Sequence, residues 1–174
     1  LLPNYLDDAL WGDALGESRD TERMAVEGPL VIGYVGGSSH LLDLEMIKPA
    51  LVEVLERFGS DILLRFWGGP PPADLRERGN VEWLDPGLVD YGEFAQYFRR
   101  QKCDIVVAPL RDQPFNCAKS GLKFLEYSAL VLPGVYSDVP PYQRLVNHGD
   151  NGFLAATLEA WVDALSQLIE TPEM

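Results

Sequence analysis

From residue 29 onward, the hydrophobic positions of the chain alternate between two patterns. Short apolar runs bounded by turn residues predict buried strands, whereas an apolar position every third or fourth residue predicts an amphipathic helix. The apolar runs predict six strands, at residues 30–35, 61–67, 80–85, 103–110, 135–137 and 152–155. The helical periods predict helices at residues 43–58, 74–78, 91–100, 121–130, 141–146 and 157–169. This alternation is typical of an α/β protein with a parallel sheet and helices on both faces.

Some helical positions are expected to face the core. In the helix at 121–130 they are Leu122, Leu125 and Ala129. In the closing helix, which Thr157 is suited to cap, they are Leu158, Trp161, Leu165 and Leu168. Pro49 falls inside the first helix, so that helix either begins near Lys48 or bends.

Residues 1–28 are polar, acidic and without a clear period. We predict that they form a linker or lead-in, with Trp11 and Leu15 docked on the body, and that residues 29–174 form one domain. A chain of 174 residues with 47% apolar residues is long enough to bury a proper core.

Six strands in this rhythm predict a Rossmann-like, doubly wound sheet in the order 3-2-1-4-5-6. The first and fourth strands are then neighbours, and ligands bind where the chain changes direction between them. The loops at that point are residues 36–40 and 111–120, about 80 residues apart in the sequence. We therefore expect the two loops to face each other across one site.

The residue types in these loops are suited to an anion. Gly36 and Gly37 allow a phosphate to approach the backbone, and Ser38, Ser39 and His40 are able to donate hydrogen bonds to it. On the other side, a helix begins at six further candidates, which are Asn116, Lys119, Ser120, Gly121, Leu122 and Lys123. A helix N-terminus attracts anions, whereas two lysines there oppose the helix dipole. The lysines therefore make most sense with an anion between them, although one lysine alone is more simply explained as a solvated side chain.

Charge and short motifs exclude several classes of protein. Acidic residues outnumber basic ones 27 to 14, which argues against nucleic acid and anionic membranes as partners. The apolar runs are too short for a transmembrane segment. The sequence has no dinucleotide fingerprint, P-loop or metal motif, so we expect no metal and no NAD. Cys103 and Cys117 form no CxxC pattern and fit a reducing compartment, which favours a cytoplasmic protein.

Two stretches carry a family resemblance. KSGLKFLEYSAL (119–130) and LPGVYSDVPPYQRLVNHGDNGFLA (132–155) resemble the nucleotide-sugar-binding half of GT-B glycosyltransferases, especially family four. The opening LLPNYLDDALW resembles the hinge that enters this half. The resemblance implies that a preceding acceptor-binding domain is missing. It also implies that the donor is a nucleoside-diphosphate sugar and that no further cofactor takes part.

The resemblance assigns roles to individual residues. Glu126 matches the second glutamate of the family's E-x(7)-E motif, which is expected to hold the ribose hydroxyls, but Ala118 stands in place of the first. The family's basic pair after the first strand is also absent, so His40, Lys119 and Lys123 are the catalytic candidates. Asn116 or Lys119 is the candidate for the missing sugar contact. The base is expected near residues 84–87.

The function predicted in this way is the nucleotide-sugar-binding half of a glycosyltransferase that transfers a sugar to an unknown acceptor. The missing motif residues favour an alternative, a non-catalytic domain of the same fold that binds a nucleotide or a protein partner. A flavodoxin-like or receiver-like domain is a third possibility, but the loop after the first strand lacks the acidic cluster that such a domain requires. Glu126→Gln and Lys119→Ala are expected to change stability by no more than about 0.5 kcal/mol, as surface substitutions usually do.

Overall fold

The structure, a computed structural model, describes residues 5–7, 9–11, 28–87 and 90–171, without the side chain of Ser38. Across this part of the chain six strands form one sheet: β1 (Leu30–Gly36), β2 (Ile62–Gly68), β3 (Val81–Leu84), β4 (Ile105–Ala108), β5 (Gly134–Ser137) and β6 (Phe153–Ala155). Every pairing is parallel, and the order is β3-β2-β1-β4-β5-β6. The predicted doubly wound sheet is therefore confirmed, and β1 lies beside β4.

The connections between strands contain most of the helices. These are α1 (Leu41–Phe58), α2 (Ala73–Arg76), α3 (Tyr91–Arg99), α4 (Pro114–Cys117), α5 (Leu122–Ala129), α6 (Pro140–Gln143) and α7 (Leu158–Glu170). A 3-10 turn at Ser38–His40 leads into α1. Thr157 caps α7 as predicted, because its Oγ1 accepts a 3.2 Å hydrogen bond from the backbone N–H of Ala160.

Helix α1 continues through Pro49, so the alternative in which it begins near Lys48 is wrong. An internal proline removes a backbone hydrogen bond and costs about 3 kcal/mol. The turns before it nevertheless bury Leu44 and Ile47, each with no more than 1% of its surface exposed. Burying two such side chains contributes about 3–6 kcal/mol, which offsets the cost of the proline.

Two differences from the prediction lie around β4. The strand covers only part of the predicted run at 103–110, because Pro109 follows Ala108 and has no N–H to continue the ladder. The loop after it contains a separate short helix, α4, that the sequence pattern did not indicate. These changes leave the loop between β4 and α5 compact, with α4 folded back toward α6.

The sheet separates two hydrophobic cores. One contains α1 and α7, and the other contains α3 and α5 together with Trp11, which is buried as predicted. Leu15 lies outside the described residues.

Two predicted core faces need correction. Trp161, Leu165 and Leu168 are buried, but Leu158 is 43% exposed because it is the first residue of α7 and lies beyond the packed turns. In α5 the buried apolar residues are Phe124, Tyr127 and Ala129. The predicted face was wrong for Leu122, which is only partly buried, whereas Leu125 is partly buried and packs against the core as predicted. The side chain of Leu122 lines a cavity instead.

Candidate functional site

A cavity of about 410 Å³ opens at the carboxyl ends of β1 and β4. Its wall combines the end of β4 with the start of α5 and reaches the turn before α1. The lining residues are Tyr34, His40, Ala108, Pro109, Leu110, Lys119, Ser120, Leu122, Lys123, Glu126 and Tyr142. This is the point at which the two predicted loops were expected to meet, since β1 and β4 are neighbours on either side of the change in chain direction.

The N-terminus of α5 faces this cavity without a side-chain cap among the described residues. Gly121 stands at the N-cap position, where a Cβ atom would lie 2.7 Å from the carbonyl oxygen of Pro141. Only glycine fits this close approach between the start of α5 and α6. The first N–H groups of an uncapped helix favour a bound anion.

Glu126 is buried, with only 6% of its surface exposed. Its Oε1 accepts a 2.7 Å hydrogen bond from the Tyr91 hydroxyl, and its Oε2 lies 3.7 Å from Nζ of Lys123. Burial and this hydrogen bond raise the pKa of Tyr91 above its ordinary value. The expectation that Glu126 is a surface residue is therefore wrong, because its carboxylate contacts the side chains of Tyr91 and Lys123 and is shielded from solvent.

Lys123 has a 29% exposed side chain at the edge of the cavity. Desolvation by the surrounding protein lowers the pKa of Lys123, and the attraction of Glu126 opposes this shift only in part. The other cavity lysine, Lys119, has its Nζ 5.1 Å from the ring centroid of the exposed Phe115. The cavity therefore holds two cations, of which one is partly desolvated.

Beside the cavity, Asp43 joins the two loops. Its side chain is only 4% exposed, and its Oδ2 lies 2.9 Å from Nδ1 of His40. Its Oδ1 accepts hydrogen bonds from the backbone N–H of Arg111 at 3.0 Å and from Nδ2 of Asn116 at 3.2 Å. Nε of Arg111 approaches the same oxygen at 3.4 Å. Asp43 thus ties the turn before α1 to the loop after β4.

The predicted site residues fall into two groups. The first group lines the cavity and consists of His40, Lys119, Ser120, Leu122, Lys123 and Glu126. The second group is not part of the cavity lining and consists of Gly36, Gly37, Ser39, Asn116 and Gly121. Ser38 is described only by its backbone, in the 3-10 turn. The amide of Asn116 donates to Asp43 and to the carbonyl of Arg111, so it serves the loop structure. Residues 84–87, the predicted site of the base, lie outside the lining.

Sequence reasoning missed Asp43 and Tyr91. A signal for Asp43 was present, because it lies four residues before Ile47 on the apolar face of α1, where a carboxylate requires partners. No local pattern marks Tyr91, whose partner Glu126 is 35 residues away in the chain.

Two further features of the described residues concern membranes and metals. They contain no helix that is both long and apolar enough to cross a membrane. They also contain no group of three or more histidine, cysteine and acidic side chains arranged to hold a metal ion.

The sequence of the chain matches a known family over most of its length. Residues 23–171 match the family described as Glycosyl transferases group 1. A protein of Bacillus subtilis (strain 168) named for teichuronic acid biosynthesis, the glycosyltransferase TuaH, is 29% identical over 123 residues, which are 67% of this chain and 28% of TuaH. The chain therefore spans well under half the length of that relative.

Solved structures share the fold. Anabaena HepE, crystallised with UDP-glucose, superposes with a TM-score of 0.63 at 17% identity, over 96% of this chain and 46% of HepE. The C-terminal domain of the Francisella tularensis group 1 glycosyl transferase LpcC gives a TM-score of 0.59 at 19% identity, over 97% of this chain and 84% of that domain.

The fold thus defines an α/β domain of the GT-B type, with a cavity at the change in chain direction. The chain belongs to the group 1 glycosyl transferases.

Proposed function

We propose that this chain is the part of a glycosyltransferase that binds a nucleoside-diphosphate sugar, and that the ligand occupies the cavity between β1, β4 and α5. The observation that carries the proposal is that two lysines, a buried glutamate and an uncapped helix start converge on one cavity of about 410 Å³. A cavity of that size is within the range that takes small-molecule ligands.

The diphosphate is assigned to the start of α5. Lys119 and Lys123 supply positive charge there, and the first N–H groups of α5 add hydrogen-bond donors. A phosphate beside Lys123 would give its desolvated ammonium a second counter-charge. The anion therefore accounts for a lysine whose surroundings lower its pKa.

The ribose is assigned to Glu126, as the family resemblance implies. Tyr91 donates to one carboxylate oxygen and so holds the carboxylate in a fixed orientation. A carboxylate oxygen has more than one lone pair, so the same group is able to accept from ribose hydroxyls without losing Tyr91. HepE, which has this fold, was crystallised with UDP-glucose.

Transfer itself is proposed for the whole protein, in which a further domain would hold the acceptor. Negative charge develops on the diphosphate as the sugar leaves. Lysines and helix N–H groups that are already in place stabilise this charge without reorganisation. Lys119, Lys123 and the start of α5 are therefore assigned to the leaving group, and the scheme places no metal there.

The test is a thermal-shift panel of nucleosides, nucleoside diphosphates, nucleotide sugars and inorganic pyrophosphate on the 174-residue chain. A ligand at about 100 times its Kd should add about 2.7 kcal/mol of stability. We expect diphosphates to stabilise more than nucleosides. Lys119→Ala should reduce this difference, and Lys48→Ala is the matched control, because Lys48 binds Glu45 and Asp74 outside the cavity. No shift with any member of the panel would refute the proposal.

One observation favours the second candidate, a non-catalytic domain that binds a nucleotide. The exposed Ala118 stands where the resemblance expects a glutamate, so the usual contact to the transferred sugar lacks its carboxylate. The two candidates differ in their preference for the sugar. An enzyme should bind UDP-glucose or another nucleotide sugar differently from the free diphosphate, whereas equal affinities across all sugars would support the non-catalytic domain.

A further inference from the structure

His40 and His148 use the ring nitrogen Nδ1 in different hydrogen-bonding roles. Nδ1 of His40 lies 2.9 Å from Oδ2 of Asp43, a carboxylate oxygen that only accepts when ionised. Nδ1 of His148 instead accepts from the backbone N–H of Leu154 at 3.1 Å. In their neutral forms, His40 must therefore carry its proton on Nδ1, and His148 must carry its proton on Nε2.

We propose that Asp43 is a positioning residue that holds neutral His40 as its Nδ1–H tautomer and presents Nε2 to the cavity as a hydrogen-bond acceptor. His40 lines the cavity, and Asp43 occupies its other ring nitrogen. The inference that a ligand uses Nε2 rests on the proposed function, whereas the tautomer does not.

The surroundings of Asp43 make this orientation firm. Its Oδ1 receives the backbone N–H of Arg111 and the amide of Asn116, both from the loop after β4. The carboxylate cannot turn away from His40 without abandoning these buried donors, which is costly. The fold therefore fixes the carboxylate first, and the carboxylate fixes the imidazole.

The tautomer selects the chemistry of the ligand group at Nε2. A lone pair repels a phosphate oxygen and attracts the proton of a hydroxyl. The phosphates already have Lys119 and Lys123 on the α5 side of the cavity. We therefore assign to His40 a hydroxyl of the nucleotide sugar, on either the ribose or the transferred sugar.

The first measurement needs no substitution. Long-range ¹H–¹⁵N spectra of the histidine rings are recorded at a pH at which both imidazoles are neutral, as judged from their own titration. We expect a protonated Nδ1 in His40 and a protonated Nε2 in His148, so each ring serves as a reference for the other. A protonated Nε2 in neutral His40 would overturn the proposal.

Asp43→Asn then reverses the tautomer by design. The donors from Arg111 and Asn116 should hold the new amide oxygen in the place of Oδ1, which leaves the NH₂ group facing His40. Nδ1 becomes an acceptor, so the proton of neutral His40 should move to Nε2 while His148 stays unchanged. Asp112→Asn, in the same loop and away from His40, is the matched control.

Binding of UDP-glucose and UDP is measured by calorimetry for wild type, Asp43→Asn, His40→Ala and the double variant. Loss of one hydrogen bond should weaken binding about three- to tenfold. If both ligands weaken, the hydroxyl belongs to the ribose; if only UDP-glucose weakens, it belongs to the transferred sugar. Either result supports the proposal, provided that the double variant binds no more weakly than His40→Ala.

The outcomes separate this inference from the proposed function. A purely structural Asp43 would weaken binding further in the His40→Ala background, which would overturn the positioning role. Unchanged affinity of His40→Ala would overturn the hydroxyl assignment, and unchanged affinity of Asp43→Asn despite a switched tautomer would overturn the need for an acceptor at Nε2, because a hydroxyl can also accept a hydrogen bond. Both results leave the proposed function standing. If wild type binds neither UDP nor UDP-glucose, a uridine nucleotide is excluded as the donor, while the ring spectra still decide the role of Asp43.

Discussion

The paired charges of Glu126 and Lys123 offer the sharpest test of how the site is built. We consider Glu126→Gln, Lys123→Met and the double variant, all of which keep the approximate size of the side chains. Glu126→Gln turns a charge-assisted bond from Tyr91 into a neutral one, at a cost of about 1 kcal/mol. It also leaves the ammonium of Lys123 without the carboxylate that lies 3.7 Å away.

The second effect is smaller than for a fully enclosed pair. Removing one partner of a fully buried ion pair costs about 3–5 kcal/mol, but the Lys123 side chain is 29% exposed and keeps some contact with water. We therefore expect Glu126→Gln to lose about 2 kcal/mol in total and Lys123→Met to lose about 1 kcal/mol. The double variant removes both charges together and should lie within about 1 kcal/mol of wild type, a coupling of about 2 kcal/mol.

The assay is urea denaturation of the four proteins at one pH, with calorimetric titration of a nucleoside diphosphate beside it. Glu53→Gln, an exposed glutamate on α1, is the matched control and should change stability by less than about 0.5 kcal/mol. Binding should fall in Glu126→Gln by about 1–3 kcal/mol and should not recover in the double variant. Additive losses of stability, or a Glu126→Gln variant as stable as wild type, would refute the coupled pair.

Three further predictions concern the same region. Gly121→Ala should destabilise the fold by about 1–3 kcal/mol in a denaturant melt, because the new Cβ meets the Pro141 carbonyl. Gly37→Ala places its Cβ in open space and should leave stability unchanged. Equal effects of the two substitutions would contradict the packing argument. Lys119→Ala should weaken diphosphates more than nucleosides and flatten the salt dependence of titrations, and an unchanged salt slope would remove Lys119 from the phosphate site. Burial raises the pKa of several tyrosines, so the folded chain keeps their protons at pH values where the unfolded chain loses them. Their contribution to the free energy of unfolding should therefore be complete below about pH 10, the ordinary tyrosine pKa, and should fall above it. An alkaline melt with no loss of stability before these residues ionise would contradict this. Those tyrosines are Tyr34, Tyr127, Tyr136 and Tyr142.

The strands of the sheet were predictable because each is a short apolar run that can be recognised from neighbouring residues in the sequence alone. Parallel order and the neighbouring positions of β1 and β4 then follow from the alternation with helices. The lysines and the glutamate of α5 were predictable in the same way, because helical spacing places Lys123 and Glu126 on one face. Their convergence on one cavity is therefore a consequence of local pattern combined with a known topology.

The partners of these residues were not predictable, because they depend on contacts across the fold. Tyr91 reaches Glu126 from 35 residues away, and Arg111 reaches Asp43 from 68. The phase of α5 was misjudged for a related reason. Hydrophobicity alone placed Leu122 inward, but the cavity takes up that position, and the glutamate is the residue that the fold buries.

The pKa of Lys123 connects the stability of the domain with its proposed ligand. Because desolvation lowers this pKa, the unfolded chain binds more protons than the folded chain between the lowered value and about 10.4, so the contribution of Lys123 to stability rises with pH in that window. At neutral pH Lys123 is charged, and because Glu126 compensates its desolvation only in part, this charge lowers the free energy of unfolding. A diphosphate would supply the missing negative charge, raise the pKa of Lys123 and remove that cost. Binding should therefore widen the difference in stability between wild type and Lys123→Met, whereas an ordinary solvated lysine would leave that difference unchanged.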